Sequence, residues 1–161
     1  MAGTPTPPTS RGRPDVDAAR ALYQRHADGY DLQTDWAGPD RARAGWGNVD
    51  LRLGLAEEQL RPDDALDAAL FCFTHDVLRS RPTLEAVVGR LKPGGRVAAV
   101  GPMWAPWWAP AMNLLVWYVT SDYVTTFEGF SQPWSHLAAL VPGLEVERHD
   151  LAGEYFVWGS V

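Results

Sequence analysis

The sequence predicts an α/β domain whose mostly parallel sheet ends in an antiparallel hairpin. The main observation is the segment 66–101, in which an apolar run, an amphipathic segment, a Pro-Gly-Gly turn and a second apolar run follow one another. This order predicts a strand–helix–strand unit, and continuously apolar strands are typical of a parallel sheet that is buried on both faces. The second observation is a pair of strand-like runs, 144–151 and 154–158, separated by a turn at Ala152-Gly153, which predicts the hairpin.

Length and composition indicate one globular domain. The 161 residues are 46% hydrophobic and 21% charged, which provides enough apolar side chains for a core. The net charge of −6, without a basic block, argues against nucleic acid as the main partner. Cys72, the only cysteine, lies in an apolar run, so we expect a buried thiol and a reducing, cytoplasmic setting.

The N-terminal part contains a lead-in, a helix and a strand. Residues 1–14 are rich in Pro and Thr and lack the apolar segment of a signal peptide, so we expect a disordered lead-in to a single domain of residues 15–161. Residues 15–30 are predicted to form a helix with one apolar and aromatic stripe that docks on another surface. Residues 48–55 alternate as a half-buried strand does, and residues 56–60 form a short helical turn.

The remaining elements follow the central unit. Residues 101–110 are predicted to be an aromatic, proline-stiffened loop, 111–119 a buried helix, 127–134 a loop and 135–140 a short helix. Residues 97–121 contain no charged side chain, which raises the question of a membrane span. Three prolines interrupt this stretch, so a strand, a loop and a helix explain it better than a spanning helix does.

The best candidate for chemistry is the polar cluster Thr74, His75 and Asp76 at the end of the first central strand. Ligands of open parallel sheets bind beyond the carboxyl ends of the strands. There His75 could act as a general base that Asp76 orients. Alternatively, Asp76 caps the following helix and His75 lines a cleft without catalysis. The four histidines lack the spacing of metal ligands, so no metal site is predicted.

The tryptophans of the uncharged stretch are the second candidate feature. Trp104 and Trp107 are the predicted substrate contacts, with Trp108 and Trp117 nearby. They could form a lid over an apolar or aromatic substrate, pack in a core or interface, or seat the protein on a membrane surface. The acidic net charge and the absence of Lys and Arg around them argue against strong attraction to a membrane.

Four stretches of the chain carry a family likeness: LYQRHADGYDLQ, AGWGNVDLRLG, LDAALFCFTHDVLRS and LKPGGRVAAVGP. Together and in this order they resemble class I S-adenosylmethionine-dependent methyltransferases of the small-molecule, ubiquinone/menaquinone-methyltransferase-like branch, and the likeness covers nearly everything after Asp15. The resemblance implies a Rossmann-like fold, S-adenosylmethionine as cofactor and a small-molecule substrate. It also implies cofactor contacts at Ala56, Glu57, Phe73 and Thr74, with His75 near the methyl-transfer centre. The composition resembles that of a high-GC bacterium.

The chain departs from that family where the cofactor should bind. Between Asp31 and Asp40 there is neither an apolar strand nor a Gly-rich turn, so the first βαβ unit with its cofactor loop is missing. Gly54-Leu55-Ala56 replaces the family's Gly-Asp-Ala, whose acid contacts adenine. The resemblance therefore implies a truncated Rossmann-like methyltransferase fold whose methyl transfer is impaired or lost.

Several roles remain open for such a chain. It could be a non-catalytic partner of an intact homologue, a repurposed enzyme or binder for an apolar small molecule, or an incomplete version of a normal enzyme. Loss of the missing strands would leave either a collapsed sheet or an exposed apolar strand edge. We therefore expect an intimate homodimer or poor solubility.

Overall fold

The computed structural model describes residues 55–61 and 63–161. In chain order, its elements are α1 (Ala56–Gln59), β1 (Leu66–Cys72), α2 (His75–Arg79), α3 (Arg81–Val88), β2 (Leu91–Pro102), α4 (Pro110–Thr120), α5 (Ser135–Leu140), β3 (Glu145–His149) and β4 (Glu154–Ser160). The predicted lead-in 1–14, the helix 15–30 and nearly all of the strand 48–55 lie outside the described residues.

The predicted strand–helix–strand unit is confirmed. β1 and β2 are parallel neighbours, and Ala69 is paired with Val97 and Cys72 with Val100. The helices α2 and α3 connect the two strands, and α3 begins with Pro at its first turn. The predicted Pro-Gly-Gly turn lies within β2 as an irregularity, because the register with β1 shifts there from Leu91 to Arg96.

The predicted C-terminal hairpin is confirmed as well. β3 and β4 are antiparallel, and β4 also pairs with β2, which gives the strand order β1-β2-β4-β3 among the described residues. The prediction of a mostly parallel sheet is wrong for this part of the chain, where one pair is parallel and two are antiparallel. The hairpin causes this difference, since β4 runs antiparallel to both of its neighbours.

One face of the sheet carries the core. Alternate residues of β2 and β4, such as Val97 and Val157, point to this face and are almost fully buried. Residues from α2, α3 and α5, such as Leu78, Leu84 and Leu137, pack against them. The helices cover this face of the sheet with their apolar sides, because their apolar residues recur at helical spacing.

The opposite face is open in the described part of the chain, and we call it the open face. It exposes the apolar side chains Leu70, Phe156 and Trp158. Cys72 lies on the same face, so the prediction of a buried thiol is wrong. The reason is the two-residue period of a strand, which turns Phe71 into the core and both of its neighbours outward.

Helix α4 confirms the predicted helix but not its predicted burial. Only a narrow stripe, which includes Val116 and Thr120, is buried. An added Cβ on Gly153, in the β3–β4 turn, would lie 2.5 Å from Val116 Cγ2, so this turn is where α4 rests. No helix in the described part of the chain is long and apolar enough to cross a bilayer.

Candidate functional site

The cluster Thr74, His75 and Asp76 lies where β1 ends and α2 begins. The preceding residue, Phe73, has φ +54°, a left-handed conformation that a bulky side chain rarely adopts. Its N–H still donates to the Val100 carbonyl at 2.8 Å, so the chain turns sharply directly after the last sheet hydrogen bond. Backbone strain of this kind costs about 1–3 kcal/mol and is concentrated at functional sites.

The cluster contains a concentration of buried polar atoms without hydrogen-bond partners. They are Thr74 Oγ1, Asp76 Oδ1 and both ring nitrogens of His75, which have the Thr126 and Glu128 carbonyls nearby but outside good hydrogen-bonding geometry. Each such atom costs about 1–3 kcal/mol when it is left unpaired, so proteins rarely retain several together. They lie on consecutive residues at the carboxyl end of a parallel strand, the edge at which α/β sheets bind ligands.

His75 is held as a neutral imidazole. Its side chain is only 4% exposed, and its ring packs edge-on against Phe130 with the ring centres 4.8 Å apart. Burial is the main cause that lowers the pKa of His75, and the Arg79 cation lowers it further. The Asp76 carboxylate and the nearby carbonyl groups of Thr126 and Glu128 oppose this shift. A neutral ring can accept a proton or a hydrogen bond at neutral pH.

An aromatic cluster continues from His75. Trp104 stacks on Phe127 at 5.1 Å and contacts Phe130 at the same distance, while Phe127 and Phe130 lie 5.2 Å apart. The backbone N–H of Trp104 donates to the Phe130 carbonyl at 3.2 Å, which fixes the loop after β2 against this cluster. The structure therefore brings Trp104 close to His75. Trp107, the other predicted substrate contact, is 90% exposed and is not among these ring contacts.

The segment 121–134 covers His75 and is attached to α2 at three points. The Thr125 N–H donates to Asp76 Oδ2 at 3.3 Å, so Asp76 joins α2 to this segment and does not cap the helix. Arg79 forms an ion pair with Glu128 at 3.0 Å and also donates to the Glu128 carbonyl. The third point is the contact of His75 with Phe130. These contacts leave His75 almost fully enclosed.

The predicted cofactor contacts divide into two places. Phe73 and Thr74 belong to the cluster at the end of β1. Ala56 and Glu57 lie in α1, where Glu57 Oε2 accepts a hydrogen bond from the Thr83 hydroxyl at 2.6 Å. This bond places Glu57 at the first turn of α3.

Sequence reasoning missed the residues that enclose His75. Phe127 and Phe130 were not among the candidates, because the segment after α4 has the composition of an ordinary loop. Arg79 was not a candidate either, because a basic residue in the last turn of a helix is an ordinary feature. The sequence feature that could have indicated this enclosure is the presence of two phenylalanines, Phe127 and Phe130, three residues apart. Among the described residues, no group of three or more His, Cys, Asp or Glu side chains could hold a metal ion.

No protein-family model and no curated protein sequence matches this chain.

Proposed function

We propose that this chain is a diverged S-adenosylmethionine-dependent methyltransferase-family protein that binds a small aromatic molecule at the carboxyl end of β1. The observation that supports this proposal is the set of unpaired buried polar atoms on Thr74, His75 and Asp76, directly beside an aromatic cluster. Methyl transfer is impaired or absent, because the sequence between Asp31 and Asp40 contains no Gly-rich loop for the cofactor.

The fold supports the family assignment. The unit β1–α2–α3–β2 and the hairpin behind it follow the order that the resemblance implies for the second half of a truncated Rossmann-like methyltransferase. The cluster that contains His75 lies at the carboxyl end of a parallel strand, the edge at which α/β sheets bind ligands.

The site favours an aromatic ligand that carries a hydroxyl group. Trp104 and Phe127 supply stacked ring surfaces, which contribute a large apolar contact area. The neutral ring of His75 and the unpaired Asp76 Oδ1 supply acceptors for one hydroxyl proton. In an active methyltransferase, the same imidazole would accept the proton of the hydroxyl whose oxygen takes the methyl group from S-adenosylmethionine.

Calorimetric titration of the full chain tests this proposal. We expect 1-naphthol to bind and S-adenosylmethionine not to bind. His75→Leu and Thr74→Val should each weaken naphthol binding about tenfold, because each removes one hydrogen-bonding group from the site at ~1.4 kcal/mol. 1-Methoxynaphthalene, which lacks the hydroxyl proton, should bind as weakly to the wild-type chain as naphthol binds to the variants.

Trp107→Ala is the matched control, since this side chain is exposed and lies outside the aromatic cluster. Naphthol affinity should not change in this variant. Micromolar binding of S-adenosylmethionine with transfer of its methyl group would contradict the loss of activity. Equal affinity for naphthol in the wild-type chain and in both site variants would contradict the proposed ligand site at the end of β1.

A further inference from the structure

Helix α4 and the loop before it form a large exposed apolar surface. Its members are side chains that are about half exposed or more, and we call them the α4 surface: Trp107, Trp108, Leu114, Leu115, Trp117, Tyr118 and Val119. No charged residue occurs between Arg96 and Asp122, so this surface has no charged group of its own. Monomeric soluble proteins rarely leave so much contiguous apolar area in water.

Among the described residues, the helix is attached to the rest of the domain by one side only. Val116 rests on Gly153, and Asn113 Nδ2 donates to the Ala105 carbonyl at 3.2 Å. The Thr120 hydroxyl donates to the Val116 carbonyl of the same helix at 2.6 Å. A helix that is apolar on every side is normally buried. With 11 residues, α4 is about 16 Å long, roughly half the thickness of a bilayer's hydrocarbon core.

We propose that the α4 surface is the interface of a homodimer, and that a second copy of this chain covers it. The area supports this assignment. An aromatic side chain offers about 150–250 Å². The exposed parts of the seven side chains therefore present on the order of 800 Å², which is about what one partner contributes to a stable interface.

The pattern on the outer side of α4 matches a copy of itself. Ala111, Leu114 and Tyr118 stand at i, i+3 and i+7 on the side opposite Val116, and Leu115 and Trp117 lie to either side. A twofold axis across this stripe pairs α4 with its copy in antiparallel orientation. Each helix then packs its ridge into the other's groove, and the same residues serve both partners.

The absence of charged groups on the α4 surface, together with the net charge of the chain, favours a second copy of this chain over other binding partners. A partner that is recognised by its charges finds no counter-charge on the α4 surface. An anionic membrane surface would repel a chain with a net charge of −6. The assignment does not depend on the proposed ligand site, because the α4 surface contains none of the cluster residues 74–76.

Sedimentation equilibrium of the full chain measures this dimer directly. We expect a mass twice that of the 17.8 kDa chain. Leu114→Lys should raise the dissociation constant about 100-fold or more, because it places an unpaired charge in the centre of the interface. Tyr118→Lys should have the same effect. Both side chains are exposed in the protomer, so circular dichroism should show an unchanged fold.

Leu70→Lys is the matched control, because Leu70 is 70% exposed on the open face while Leu114 is 65% exposed on α4. It should leave the dimer intact. A monomeric wild-type chain would overturn the proposal. So would a dimer that Leu70→Lys dissociates and Leu114→Lys does not, since the interface would then lie at β1. A monomer that floats with phosphatidylcholine vesicles, and is released from them by Leu114→Lys, would assign the surface to a membrane.

Discussion

The two faces of the sheet have similar composition and very different surroundings. Val97 and Val157 point to the core face and are almost fully buried beneath three helices. Their neighbours on the open face include Leu70 and Trp158, which border a shallow concavity of about 650 Å³. An apolar strand sequence therefore indicates only that the strand can be buried. Whether both of its faces are covered depends on elements elsewhere in the chain.

This difference has an energetic consequence. A core side chain loses its contacts when it is shortened, whereas an exposed side chain has few contacts to lose. The stability of the described domain should therefore depend mainly on the core face.

The largest effect is expected for a leucine on the core side. Leu84→Ala removes a fully buried side chain of α3 and should lower the free energy of unfolding by about 2–5 kcal/mol, the range for cavities in cores. Leu70→Ala makes the same chemical change on the open face and should change it by less than about 0.5 kcal/mol. Urea unfolding of both variants measures the contrast, and equal losses would mean that the open face is covered in solution.

The second effect concerns the place where α4 meets the hairpin. Gly153→Ala should lower the free energy of unfolding by about 1–3 kcal/mol beyond the backbone strain of its φ of +67°, because its added Cβ would lie 2.5 Å from Val116 Cγ2. Gly143→Ala is the control, since Gly143 has φ +79° with no atom within 4 Å of the added Cβ. It should show only the backbone strain of about 1–2 kcal/mol. If the two variants unfold alike, α4 does not rest on the turn.

The third effect is a pH dependence at His75. The pKa of His75 is lowered in the folded protein from 6.5, mainly by burial, so the unfolded chain binds the proton more readily. Stability is therefore complete above about pH 6.5 and falls as the pH drops toward the folded-state pKa, by at most ~1.4 kcal/mol per pH unit.

Thermal unfolding between pH 5 and pH 8 measures this dependence. His75→Gln should flatten the profile in the acidic range. His136→Gln serves as the comparison variant, because it makes the same substitution in α5, outside the cluster at residues 74–76. The acid loss should be smaller in His75→Gln than in His136→Gln. An equally steep acid loss in His75→Gln would mean that another group is responsible.

The smallest effect is expected at Cys72 on the open face. Because its side chain is exposed, a soluble disulfide reagent should label it in the folded protein at a rate within about tenfold of the rate in urea. Folding then protects this thiol very little. Protection by several orders of magnitude would show that another segment or another copy covers the open face.

The sequence was sufficient to predict the local elements. The helix Ser135–Leu140 has the predicted bounds, and the strand–helix–strand unit and the hairpin have the predicted order. The cluster at residues 74–76 was also identified from the sequence, since the boundary between an apolar run and polar residues marks a strand's carboxyl end. These features depend on residues that are close in sequence, and periodicity records them directly.

Only the tertiary structure decided which apolar side chains are covered and what surrounds His75. Cys72 and Phe71 look alike in an apolar run, yet one is exposed and the other buried, because the core helices lie on one side of the sheet. α4 is apolar and still largely exposed, because it rests on the hairpin by a single stripe. His75 meets Phe130, far away in sequence, only through the packing of the segment 121–134 on α2. Such contacts are non-local, and no local pattern specifies them.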